Sequence, residues 1–207
     1  MGRWEPNARG RLEQAALELY REHGFDRTTV AEIAERAGLT ERTFFRHYGD
    51  KREVLFGGAR MLQDTLVTHV RQAPAAMSAM EAMTSALVAV ATDMFGERRA
   101  FARQRQAIIA ANEELQEREL IKLASLAAAA ADALRGRGVR DPAASLAAEA
   151  GIAVFKIAFE GWTSQAGDRP LAQFIRASAA DLKAVAAGSK RKVCTRPIDP
   201  VSALSRS

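Results

Sequence analysis

The chain has 207 residues, 48% hydrophobic and 27% charged, with 14 glycines and 6 prolines, which is enough to bury a small head and a larger domain and excludes disordered, collagen-like and disulfide-stapled classes. Its net charge is +5, yet residues 1–60 set 11 Lys/Arg against 10 Asp/Glu, while Lys190, Arg191, Lys192, Arg196 and Arg206 face only Asp199 near the end, so overall charge identifies no partner. No run of about 18 uncharged apolar residues is present and MGRWEPNARGR lacks a signal-peptide core, so a cytoplasmic protein without a membrane partner is expected.

In chain order the sequence is punctuated by helix starts and stops, without the alternating pattern of strands, and an all-α fold of about nine helices is expected. A first helix follows Asn7, buries Leu12, Ala15, Ala16, Leu19 and Tyr20, and stops at Gly24. Thr29 and Glu32 form a capping box for a second helix, which ends at Gly38. A third opens at Thr40 with Leu39 and Phe44 as a hydrophobic staple; Gly49 interrupts it after about two turns, and Asp50 with Glu53 caps the next helix. Ser78 with Glu81, Asn112 with Glu113 and Glu114, and Asp141 with Pro142 mark further starts. Gly96, Gly136, Gly138, Gly167 and Gly188 mark stops, and Pro170 opens a last helix. Three regions result: a helix-turn-helix domain over 1–50, a helical ligand-binding and dimerisation domain over 51–187, and a basic tail over 188–207 expected to be disordered. The lone Cys194 lies in that tail, away from any metal-ligand spacing, so neither a metal nor a cofactor is expected.

Thr29 to Thr40 has the layout of two short helices joined by a glycine turn, in which the first braces the second against the major groove. At about 100° per residue, Tyr48 falls beside Phe44 on the buried side, and Arg42, Thr43 and Arg46 fall opposite. Two guanidinium forks and a hydroxyl suit guanine edges, phosphates and thymine methyls. Phe45 borders this face, and His47 and Lys51 come next, where the duplex backbone would run. Either arginine alone would be solvated surface; the capped helices, staple and outward face in one register point to double-stranded DNA.

The stretch TTVAEIAERAGLTERTFFRHYGDKREVL resembles the DNA-binding domain of the TetR family of repressors, from residue 8 to about 56 with the first helix included. The resemblance implies a three-helix DNA-binding domain, a helical ligand domain and a homodimer whose last two helices form a four-helix bundle. It places phosphate contacts on Thr29, Thr40, His47 and Lys51, and base contacts on Arg42 and Thr43. The family usually has a tyrosine where this chain has Phe45; without that hydroxyl, Phe45 is expected to press on a sugar or thymine methyl, with Arg46 taking the charge contact. The motif RTFF is similar to a subset that includes regulators of redox-cofactor clusters and of acyl-thioester sensing.

In the second region, Ala147, Gly151, Val154, Ala158 and Gly161 form a small-residue face that suits a dimer interface, although packing against a neighbour in the same chain uses the same pattern. Ser145, Glu149, Lys156, Glu160 and Thr163 lie opposite as a solvated stripe. Met83, Met94, Phe95, Phe101, Phe155, Phe159 and Trp162 are the candidate lining for a small apolar or amphipathic ligand. The function expected is a ligand-responsive repressor bound to a palindromic operator. An architectural DNA binder without a ligand is the alternative. A helical enzyme is disfavoured, since His23, His47 and His69 are scattered and no nucleophile set or phosphate loop is present.

Overall fold

A computed structural model describes residues 7–188 of the chain; the basic tail beyond them, with Cys194, lies outside the described residues. Among the described residues the protein is all-helical, and the order is α1 (Ala8–His23), α2 (Val30–Arg36), α3 (Glu41–His47), a 3-10 turn (Glu53–Phe56), α4 (Ala59–Gln72), α5 (Ala79–Phe95), α6 (Arg99–Ala110), α7 (Glu113–Gly136), α8 (Ala143–Ser164) and α9 (Leu171–Ala186). No helix among them is long and apolar enough to cross a membrane.

Side-chain caps decide where the short helices begin. Thr29 Oγ1 accepts the Glu32 N–H at 3.2 Å while Glu32 accepts the Thr29 N–H at 2.7 Å, so two donors orphaned at the start of α2 are satisfied reciprocally. Thr40 does the same for the Thr43 N–H at the start of α3. Between them Gly38 takes φ +65°, letting Leu39 N–H reach back to the Ala34 carbonyl at 2.8 Å and close the turn. Ser78 and Glu81 repeat the reciprocal cap on α5.

Other starts differ in detail. Asn112 precedes α7 but does not cap it; its Nδ2 donates to the Ile108 carbonyl at 2.6 Å and closes the end of α6 instead. Asp50 caps only the 3-10 turn, accepting the Arg52 and Glu53 N–H groups, and α4 begins after Gly58. Pro142 stands just before α8 rather than inside its first turn.

Two apolar cores organise these helices. The head core gathers Leu12, Ala16, Tyr20, Ile33 and Phe44 from α1–α3, with Phe25 from the turn after α1 and Tyr48 just past α3. It also takes Val54, Leu55 and Phe56 from the 3-10 turn and Ile109 and Leu115 from the α6–α7 corner. The head is thus sealed by elements beyond the boundary expected at residue 50. The larger core lies among α4, α5, α7, α8 and α9, with α5 packed on α4, α8 and α9. Each large side chain taken fully from water here contributes about 1.5–3 kcal/mol.

Here the small-residue face of α8 is corrected. Ala147, Gly151, Val154 and Ala158 are buried within one chain. A Cβ on Gly151 would meet Met83 Cγ at 2.7 Å, and one on Gly161 would meet the Phe174 ring at 3.3 Å. Small residues let α5 and α9 approach α8 closely, so these five residues serve the chain's own core rather than a partner. Thr163, expected on the solvated stripe, is buried and donates to the Phe159 carbonyl.

Candidate nucleic-acid interface

The two turns of α3 are carried by one fully buried ring. Phe44 is 0% exposed and meets Tyr48 with ring centres 5.7 Å apart, which fixes α3 about its axis. Tyr48 in turn donates to Glu13 at 2.9 Å and accepts from Arg9 at 3.2 Å, tying the end of α3 to α1. Burial, then the neighbouring Glu13 charge, pushes the Tyr48 hydroxyl well above its ordinary pKa, so it stays a neutral donor.

With that side fixed, Arg42, Phe45, Arg46 and His47 project outward and are exposed. Neither Arg42 nor Arg46 forms a hydrogen bond or ion pair among the described residues, so both guanidinium forks are available to a partner. Phe45 is 55% exposed, braced edge-on against Phe44 at 5.4 Å. A large exposed ring between two arginines is costly surface unless something covers it. Thr43 is half-buried and its hydroxyl lies 3.1 Å from that of Thr40, so the two act as one polar unit at the start of the helix. Thr29 donates its hydroxyl to Glu32 at 2.8 Å and accepts the Glu32 N–H, so its hydroxyl proton is committed to the cap of α2 and is not offered to a phosphate. Partial loss of solvent around the ring, then the charges of Arg46 and Arg9, holds the His47 imidazole below its ordinary pKa, so at neutral pH it offers a neutral N–H.

Lys51 departs from the expected phosphate contact. Its Nζ donates to the carbonyls of Phe25, Asp26 and Thr28 at 2.8, 3.1 and 3.0 Å, and sits 4.5 Å from the centre of the Phe25 ring. An ammonium has three N–H donors, and all three are engaged in holding the corner between α1 and α2. Lys51→Met is therefore expected to lower the unfolding free energy by about 1–3 kcal/mol, since it leaves three carbonyls of that corner without their charged donor. Urea unfolding checks this. A variant as stable as the parent whose binding loses only salt dependence would return Lys51 to the phosphate role.

The apolar candidates divide between the two cores. Phe95 packs against Phe155, Phe159 and Trp162 with centres 6.2, 5.7 and 6.1 Å apart, and Met94 borders the same core. Met83 is in that core against Gly151. Phe101 is not with them: it packs on the head core, with the Arg98 guanidinium 4.8 Å from its ring centre, and leaves the candidate ligand set. No group of three or more His, Cys, Asp or Glu among the described residues could hold a metal ion.

Sequence reasoning missed the charged junction beneath the head. Glu53 accepts from Arg118 at 2.7 Å and from Lys122 at 3.1 Å, and Arg105 donates to the Leu55 carbonyl at 2.6 Å while pairing with Glu119 at 3.0 Å. The available signal was the recurrence of Glu114, Arg118 and Lys122 at every fourth residue of one helix.

Residues 13–56 match the family model for bacterial regulatory proteins of the tetR family. TcmR, an HTH-type transcriptional regulator of Streptomyces glaucescens, is 35% identical over 82 residues, 40% of this chain and 36% of TcmR. FasR, an HTH-type transcriptional activator of Mycolicibacterium smegmatis, is 35% identical over 65 residues, 31% of this chain and 30% of FasR. The matched segment thus spans well under half of the relatives' own length. Among solved structures, SmeT, repressor of the Stenotrophomonas maltophilia multidrug efflux pump SmeDEF, has the same fold at TM-score 0.54 and 19% identity, covering 86% of this chain and 89% of SmeT. Residues 13–56, which include the outward face of α3, thus match the N-terminal domain of the tetR family, a stretch shared with relatives named HTH-type transcriptional regulators.

Proposed function

We propose that this chain is a ligand-responsive repressor that binds a palindromic operator as a homodimer. The observation that carries the reading is the unpaired face of α3, where Arg42 and Arg46 flank an exposed Phe45 on a helix held rigid by Phe44 and Tyr48. Arg42 and Thr43 read base edges; Arg46, His47 and Thr40 hold the backbone; Phe45 covers a sugar or thymine methyl. Lys51 and Thr29 are omitted, because their donors are occupied.

The dimer contact is moved to an exposed face of α8, about 100° round the helix from the small residues. Leu146 and Ile157 are 65% and 62% exposed there, in line with the exposed Ala153, and Val185 of α9 is 77% exposed. These side chains are supporting evidence for a second copy packed on α8 and α9, since a polar surface would serve a monomer better. The sign of regulation is part of the proposal: FasR is named an activator and SmeT a repressor.

An apolar ligand is proposed beside Phe95, Phe159 and Met94, three partly buried side chains packed against the larger core. RTFF makes acyl thioesters the first compounds to try. The close packing of Met83, Phe155 and Trp162 favours a second reading, in which this group is simply core and the protein binds DNA without a ligand.

Selection from random duplexes followed by footprinting tests the reading. Inverted repeats are expected, protected on successive major-groove faces, with a dimer in light scattering. A coupling of about 1–3 kcal/mol, or roughly 5- to 150-fold, is expected between ligand and operator. If acyl thioesters, fatty acids and aromatic effectors raise thermal stability without weakening operator binding, the sensor reading fails and the DNA reading stands. Enrichment of no motif overturns both.

A further inference from the structure

The reading head joins the rest of the chain covalently through the 3-10 turn Glu53–Phe56 and the glycine pair Gly57–Gly58 that precedes α4. A glycine pair constrains direction poorly, so the tilt of the head must be set by what grips the turn. Two faces grip it. On one, Glu53 lies between Arg118 and Lys122 of α7: Oε1 accepts from Arg118 Nε at 2.7 Å and also from its Nη2, and Oε2 accepts from Lys122 at 3.1 Å. On the other, Arg105 of α6 donates to the Leu55 carbonyl at 2.6 Å, lies 5.0 Å from the centre of the Phe56 ring, and is held by Glu119 of α7 at 3.0 Å. Arg52, just before the turn, pairs with Glu114.

Glu114, Arg118 and Lys122 lie one turn apart on a single stripe of α7, so the contacts run along about 12 Å of one rigid helix at 1.5 Å rise per residue. Contacts spread along such a length resist rotation of the head, whereas one contact would act as a pivot. Part of the group is also sheltered. Side chains of Glu53, Arg105 and Glu119 are 23%, 19% and 24% exposed, while Arg118 and Lys122 are 40% and 31% exposed, so salt screens the Arg105–Glu119 pair less than it would a surface pair. Burial pushes the Glu53 carboxyl up, but the bonds from Arg118 and Lys122 overcome this and hold it below the ordinary glutamate range, so it is charged at neutral pH.

We propose that Glu53, gripped by Arg118 and Lys122, is a positioning residue that fixes the tilt of the reading head on α7 and thereby sets the half-site spacing the protein accepts. Apolar contacts of Ile109 and Leu115 keep the head attached. Such non-directional contacts allow sliding; the ion pairs supply direction. The inference rests on the dimeric, palindromic reading above, because a single head has no spacing to set.

The test compares the full chain with its Glu53→Gln, Glu53→Asp and Arg118→Gln variants. Each is titrated on the selected palindrome, on palindromes with the spacing changed by two base pairs, and on a lone half-site. The parent is expected to lose about tenfold or more on altered spacings. Glu53→Gln should reduce that discrimination to about threefold or less with half-site affinity unchanged, and Arg118→Gln, which leaves the Lys122 pair, should lose part of it; adding Arg118→Gln to Glu53→Gln should cost nothing further, because the Arg118 pair is already broken. Glu53→Asp should restore part of it. A merely structural role would instead lower half-site and palindrome affinity together. The clamp is overturned if Glu53→Gln and Arg118→Gln keep full spacing discrimination, or if they lose half-site affinity in the same proportion. A parent that binds the lone half-site as tightly as the palindrome overturns the dimeric reading, and this inference with it.

Discussion

Arg42→Ala is expected to weaken binding to the selected operator by about 1–3 kcal/mol, roughly 5- to 150-fold, while scarcely changing affinity for scrambled DNA. The expectation comes from position. Arg42 stands in the first turn of α3 on the side away from Phe44, is exposed, and forms no hydrogen bond or ion pair among the described residues. Its removal therefore leaves the head's own packing untouched, and the unfolding midpoint should not move. A guanidinium can bond a guanine edge at two points, and that pairing is lost on the wrong base, so the cost should fall on one position in each half-site. Arg46→Ala is the contrast, because its fork lies further along the helix, next to His47, where a phosphate contact weakens all sequences alike and lowers the salt slope by about one counterion per subunit. Titration of both variants on operator and scrambled duplexes at several salt concentrations decides the assignment. Equal losses on both duplexes for Arg42→Ala would move base reading elsewhere on α3.

What the sequence made legible was local. Thr29 with Glu32, and Ser78 with Glu81, are reciprocal caps between residues three apart, and the structure forms both. The outward face of α3 was readable for the same reason, since seven consecutive residues on one helix need only its periodicity and one buried anchor, Phe44. Long-range pairings were hidden. Nothing beside Lys51 in sequence shows that the carbonyls at Phe25, Asp26 and Thr28 are short of donors, because those groups lie 23 to 26 residues away. Glu53 and Arg118 are separated by 65 residues, so only the stripe on α7 hinted at a partner, without saying which. Phe101 was misplaced because its helix runs between the cores: Ala102 belongs to one and Ile109 to the other. Small residues on α8 correctly signalled a close helix contact, but periodicity gives a face and not the identity of what meets it.

That ambiguity yields the other large effect. Gly151→Trp is expected to destabilise the monomer itself. Even the first carbon of the new side chain would stand 2.7 Å from Met83 Cγ, and Met83 is 0% exposed, with core on all sides. Overpacking of a close contact costs about 1–3 kcal/mol and more when neighbours cannot retreat. At about 2–4 °C per kcal/mol for a chain of this size, a 3 kcal/mol penalty lowers the midpoint by about 6–12 °C. Ile157→Lys should do the opposite. Ile157 is 62% exposed on another face of α8, so a lysine there should change monomer stability by no more than about 0.5 kcal/mol. In a dimer packed on that side it would bury two ammonium groups near the two-fold axis without partners, and the copies should separate. Light scattering and thermal unfolding on both variants distinguish the faces. The assignment holds if Gly151→Trp loses stability and Ile157→Lys loses only its partner; it is reversed if Gly151→Trp unfolds at the parental temperature as a monomer while Ile157→Lys remains dimeric.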